Sequence, residues 1–449
     1  MKRASLLEGS VLGKLTLFAL PLVASNLLQS VYTIADMALI GNVESRASVS
    51  AISIGGQITL LVTNAIIGFS SGAMTLVSQY YGAKKRDELQ KTVGTLFFMY
   101  LAIAAFVGVL FTAISTPLLR MLSTPADAFD QARLYLGISM WGSVLVFGYN
   151  GISAVLRGMG DSKRPLLFVL AAASVSVALD YLLIVRLRMG VQGAIIATLT
   201  GQAVSVALSL EYLHRKRDEL GFKLSLSMLR PDRRQLELLI RLGLPVCVQQ
   251  VVVQISFLSV QALANSYGTA QSALFGIGNR INSFATMPGN AVSTAISSMA
   301  GQCIGSGLDK RAEATAYGGM LLNLAVGSVV TFLIALSPAS VVRLFTPDSD
   351  VLELSQAFVR YMSASYIITP IIFCVTGLAT GAGHTVFVLT VTLVCSLAVR
   401  VPLAYFFSQG LGMGFNGVGL AMGLASFGGI PQCAWFLAKK RWMRRVVKI

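Results

Sequence analysis

Apolar residues recur along this 449-residue chain in runs of more than twenty, separated by short polar breaks. The first run, from Lys14 to Asn42, is long enough to cross a bilayer as a helix. The same holds between Arg46 and Lys84, Lys91 and Arg120, and Arg241 and Arg280, where no basic residue interrupts. The pattern predicts helices over 14–40, 50–76, 92–116, 132–156, 165–186 and 191–213, and then over 236–263, 270–298, 314–338, 354–380, 384–408 and 414–438. Barrel strands are short and alternate in polarity, so a β-barrel is excluded. The expected fold is all-α and polytopic: twelve transmembrane helices in two pseudo-symmetric six-helix bundles. The expected organisation is an N-lobe over 1–213, a cytoplasmic linker over 214–235, a C-lobe over 236–438 and a basic cytoplasmic tail over 439–449.

The two bundles are an internal repeat. The segment around Pro21 lies over that around Pro245, Gln79 over Gln302, and Gly82 over Gly305. STPAD at 123–127 answers FTPDS at 345–349, LRGMGDS at 156–162 answers ATGAGHT at 379–385, and GVQGA at 190–194 answers GFNGV at 414–418. The shift stays between 222 and 224 residues throughout. With an even number of spans in each copy, both copies keep one orientation, as in transporters that rock two bundles about a midplane site.

Composition agrees, with 55% hydrophobic and 12% charged residues and a mean hydropathy of +0.73. The net charge of +16 is informative through its placement. With both termini in the cytoplasm, 26 of the 35 basic residues fall in cytoplasmic loops and ends, which satisfies the positive-inside rule. Spread over short loops in this way, they do not form a nucleic-acid-binding patch. Five cysteines, all in apolar stretches, argue against a disulfide framework or a zinc site. The N-terminal apolar run exceeds a signal-peptide core and lacks a small-residue cleavage site, so it is expected to be retained as helix 1.

Against this apolar background two acids stand out. A carboxylate at the centre of a spanning helix costs about 2.5–3.5 kcal/mol on insertion scales, so it is tolerated mainly where it faces a cavity, an ion or a partner. Asp36 lies in helix 1 on one stripe with Tyr32, Gln29 and Ser25. Asp180 lies in helix 5, with Ser176 one turn before it. Helices 1 and 5 run in the same direction, and each acid precedes the outer helix end by one to two turns. Thr198 in the returning helix 6 comes to a similar depth. Two carboxylates with hydroxyl oxygens suit a hard cation such as Na+, and a proton can take its place where two carboxylates lie close. The repeat places Val260 and about Ala404 at the counterparts of Asp36 and Asp180, so the acids belong to one lobe. A structural alternative pairs Asp180 with Arg186 or Arg188.

The EGS start followed by the LPL helix 1, ADMALIG at 35–41, VSQYYGAK at 77–84, LRGMGDSKRP at 156–165 and FGIGNRI at 275–281 together resemble the multidrug and toxic compound extrusion (MATE) transporters, along nearly the whole chain. The resemblance implies two six-helix lobes with a central cleft, and export of cationic or amphipathic compounds driven by inward movement of H+ or Na+. Asp36, Asp180 and Thr198 match family positions implicated in cation binding, and Ser176 stands where relatives often carry Asn. Helices 7 and 10 lack the acids of another branch, so the chain resembles the bacterial and archaeal branch with N-lobe acids.

Further polar or aromatic residues are candidates for the substrate cavity: Gln29 and Tyr32; Tyr135, Tyr149 and Asn150 in helix 4; and Gln250, Gln254 and Gln261 along helix 7. For each, packing is the alternative. Pro21 is a candidate hinge in helix 1. Arg280 and Arg400 are assigned to structure or gating rather than to substrate. The expected coupling ion is H+ or Na+, without a resident cofactor. Expected partners are organic cations or amphiphiles and membrane lipid, without nucleic acid. The chain is expected to act as a monomer in a prokaryotic inner (plasma) membrane. A lipid or lipid-linked precursor flippase of the same superfamily is the alternative function. Without a nucleophile–base constellation or phosphate loop, the chain does not read as an enzyme.

Overall fold

The computed structural model describes residues 6–217 and 229–443. The expected tail beyond Met443 and half of the expected linker, 218–228, lie outside the described residues. Among the described residues twelve long helices follow one another: α1 (Val11–Val43), α2 (Arg46–Gly82), α3 (Arg86–Met121), α4 (Ala126–Gly158), α5 (Lys163–Arg186), α6 (Gly190–Arg215), α7 (Arg233–Asn265), α8 (Thr269–Gly305), α9 (Asp309–Leu336), α10 (Ser349–Gly381), α11 (Thr385–Gly410) and α12 (Phe415–Ala438). A short helical segment, Pro338–Arg343, lies between α9 and α10. Eleven of the twelve are apolar enough to cross a membrane. The twelfth, α8, has the length but is diluted by Asn279, Arg280, Asn282 and Asn290.

Large apolar side chains are exposed along these helices, among them Phe106 on α3 and Val329, Phe332 and Leu333 on α9. A face of that kind suits lipid rather than water. The helices overrun the expected spans because polar first turns extend them. In α2, for example, Ser45 caps the N-terminus by accepting from the Ser48 amide at 3.2 Å.

The repeat is visible in its turns. After α4, the Asp161 amide donates to the Leu156 carbonyl at 2.9 Å around Gly160, whose φ is 87°. After α10, the His384 amide donates to Ala379 at 2.8 Å around Gly383, whose φ is 88°. That left-handed backbone is open to glycine at little cost, so GMG and GAG end their helices in the same way.

Two units divide the chain: Pro21–Gly243, and Met1–Leu20 with Leu244–Ile449. Their limits differ from the expected lobes, because they fall inside α1 and α7 rather than in the linker. Each limit adjoins a proline, Pro21 or Pro245, where the missing amide leaves the carbonyl four residues earlier, Leu17 or Arg241, without its helical donor.

In the Pro21–Gly243 unit the first turns of α7 are fixed by Gln235, which is fully buried. Its side chain donates to Glu88 and Tyr80 and accepts from Thr92 at 2.9 Å. The Asp232 amide donates to Thr95 at 3.0 Å. In the other unit the start of the chain is fixed by Arg311 on α9, which donates to the carbonyls of Leu6, Glu8 and Gly9 at 2.9–3.1 Å. That unit is centred on Phe358, ringed by Phe275 and Phe415.

Candidate functional site

Asp180 is the last α-helical residue of α5 before a π-helical stretch, Tyr181–Arg186. Wider turns of this kind gather at functional sites. Asp180 is 0% exposed, and neither of its carboxylate oxygens receives a hydrogen bond from a donor. Its close neighbour is the carboxyl group of Asp36, within hydrogen-bonding reach. Asp36 also carries an oxygen without a donor, Oδ1. Two facing carboxylates have no hydrogen between them, so such a pair bonds only when one of the two is protonated. Two ionised carboxylates that face each other repel, which disfavours the doubly charged state.

The remaining oxygens come from α1, α5 and α6. The Tyr32 hydroxyl lies 3.3 Å from the Thr198 hydroxyl, and Tyr32 also neighbours Ser176 and both acids. The buried Ser176 hydroxyl donates to the Ala197 carbonyl at 3.3 Å. α5 and α6 come this close because residue 201 is glycine. A Cβ there would collide with the Ser176 hydroxyl and would lie 2.7 Å from the Ala172 carbonyl. Tyr135 of α4 stands beside Asp36 and Tyr32, its ring over Gly55 of α2.

The structure therefore gathers Asp36, Asp180, Ser176, Thr198, Tyr32 and Tyr135 in the Pro21–Gly243 unit. The acids do not pair with arginine as the structural alternative had it: Arg186 instead stacks over Tyr181. Gln29 is exposed on α1. Tyr149 is buried and donates to the Pro165 carbonyl at 3.3 Å, which ties α4 to α5, and the Asn150 amide donates to Val146 of its own helix at 2.8 Å. In the other unit Gln261 bridges Asn265 and Ser272 across the α7–α8 turn. Gln250 and Gln254 are half-buried along α7.

Sequence reasoning missed Gln202, whose Oε1 is buried without a donor. It lies one turn after Thr198 on α6, so the four-residue spacing was the available signal.

Similarity to known proteins bears on this arrangement. The MatE family pattern matches residues 21–182 and matches again over 245–406. This chain is a MatE-family membrane transporter. The two matches are displaced by 224 residues, so the repeat is a property of the family pattern as well as of the transporter's own sequence. The transporter is 30% identical to the probable multidrug resistance protein YpnP of Bacillus subtilis over 98% of each chain. It is 27% identical to the probable multidrug resistance protein NorM of Thermotoga maritima over 96% of this chain and 92% of that one. Its fold matches the outward-facing structure of a multidrug resistance MATE family transporter, with a TM-score of 0.92 at 21% identity over 99% of each chain. It also matches a MOP superfamily transporter from Pyrococcus furiosus, with a TM-score of 0.92 at 21% identity and the same coverage.

Proposed function

We propose that this transporter exports cationic or amphipathic organic compounds and is driven by inward movement of H+ or Na+ bound at Asp36 and Asp180. The carrying observation is the carboxyl pair itself: the buried Asp180, neither of whose oxygens has a donor, beside the half-buried Asp36, whose Oδ1 has none. Its oxygens, with those of Tyr32, Ser176 and Thr198, form a set that fits a hard cation, and the same pair can hold one proton between its oxygens. A bound cation neutralises the pair and lets α1, α5 and α6 pack closely; its departure leaves repelling charges that favour the arrangement open to a cationic cargo. The ion shifts the equilibrium by its difference in affinity for the two states. Pro21 is the hinge, since α1 lacks a helical hydrogen bond there. The protein acts as a monomer in a prokaryotic inner membrane, with both termini cytoplasmic. The names of its bacterial relatives, each a probable multidrug resistance protein, support the cargo class.

The test is dye movement in proteoliposomes of purified protein, with a pH gradient and a sodium gradient imposed separately. Movement that follows one gradient names the ion. An Asp36→Asn protein that moves dye as well as the parent would remove Asp36 from the mechanism.

A further inference from the structure

Arg400 is a guanidinium in mid-helix. It lies ten residues before the end of α11 and fifteen after its start, or about 15 and 22 Å at the helical rise. Among the described residues no Asp or Glu pairs with it: the acids of residues 244–443 are Asp309, Glu313, Asp348, Asp350 and Glu353, all within the first turns of α9 and α10 or just before them. Its Nη1 donates to Ser256 Oγ at 3.4 Å, and Ser256, fully buried, donates to the Ser396 carbonyl at 2.6 Å. The guanidinium stacks 4.6 Å from the centre of the Phe257 ring. Its Nε is buried without an acceptor, and Nη2 makes no hydrogen bond among the described residues.

Nε and Nη2 form the side-on edge of the guanidinium, two parallel N–H donors at the spacing of a carboxylate's oxygens. A guanidinium with a buried Nε unused and Nη2 unbonded is costly in the membrane interior, and a bound anion offsets the cost. The backbone supports a built site. Arg400 ends a π-helical stretch, Val394–Arg400. Displaced by 224 residues, the second π stretch of α11, Phe406–Gly410, falls on that of α5, whereas Val394–Arg400 falls on regular α-helix at 170–176. The same displacement carries Arg400 onto Ser176 and Ser256 onto Tyr32. The second copy thus holds a cation where the first copy holds its acid site, on a helical distortion of its own.

We propose that Arg400, with Ser256 and Phe257, is a carboxylate-binding subsite, and that the cargo includes amphiphiles bearing a carboxylate, zwitterions among them. The carboxylate lies along the Nε–Nη2 edge. Lipid phosphates belong at the membrane surface, about 15 Å from this depth, so the occupant is the carboxylate of an organic compound. The proposal deepens the export reading and rests on it for passage across the membrane, though not for binding.

The experiment measures equilibrium binding to the purified full chain in detergent, by fluorescence anisotropy, of a rhodamine with a free carboxylate and of its methyl ester. Arg400→Gln should weaken the free acid by about tenfold and leave the ester unchanged. Arg400→Lys, which keeps the charge and loses the two-pronged edge, should fall between, and it reads the proposal if the Gln variant does not fold. Equal loss of both dyes, or loss of neither, overturns the proposal. So does displacement of the free acid by phosphatidylglycerol, which would assign the edge to lipid phosphate. Acid-selective binding without gradient-driven movement would overturn the export reading and leave the subsite standing.

Discussion

The two copies of the repeat share their scaffold and differ in the charge they carry. α4 and α10 end in the same glycine turn, and α5 and α11 loosen into π-helix near the same end. At matching positions the Pro21–Gly243 unit has the half-buried Asp36 and the buried Asp180, whereas the other unit has Val260 and Ala404, both 0% exposed, with Arg400 one turn from Ala404. Duplication preserved the local geometry because turns and helix breaks are fixed by a few backbone-directing residues. Charge was free to diverge because it depends on single side chains facing an interior.

The sharpest way to break this comparison is to move the acid. Asp36→Asn should reduce gradient-driven dye movement in proteoliposomes to the level of empty vesicles. Adding Val260→Asp to that variant should not restore it, because the second unit lacks the counterparts of Asp180 and Thr198; recovery of movement would show the two units to be interchangeable. A smaller effect is expected from Gly201→Val, which forces α5 from α6 at Ser176 and should cost about 1–3 kcal/mol, read as a lower Tm in detergent. The corresponding residue of the other copy, Ala425, already accommodates a Cβ, so Ala425→Gly should cost about 0.5–1 kcal/mol; equal losses would mean that the close approach is not peculiar to the acid site.

Gln235→Ala should destabilise by about 1–3 kcal/mol in the same melting assay, since it strips Thr92 and Glu88 of a buried partner. The least effect is expected from Tyr32→Phe. Loss of the Thr198 contact is worth about 0.5–1.5 kcal/mol and should weaken ion binding by several-fold without abolishing coupling. An unchanged ion affinity would place Tyr32 outside the site.

Much of this was legible in the residues. The order of twelve helices followed from hydropathy, the repeat from matched motifs, and the singling out of Asp36 and Asp180 from the cost of a carboxylate among apolar neighbours. The buried role of Tyr149 was not legible, because an aromatic side chain reads alike in a cavity and in a core. Gln202 was passed over because its helix face acquires meaning only once Thr198 is known to meet Tyr32.

The sequence by itself determined the helices and their number, since the requirement that every backbone polar group be satisfied within lipid acts on each span separately. It also determined which side chains are anomalous for that setting. Only the tertiary structure decided that Asp36 meets Asp180 across 144 positions of chain, and that the unit limits fall inside α1 and α7. It alone decided that Arg400 lies over Phe257 with its Nε buried and without an acceptor. Those outcomes depend on which helix faces interlock, and interlocking is set by the shapes of residues distant in sequence, such as Gly201 against Ser176, rather than by any local period.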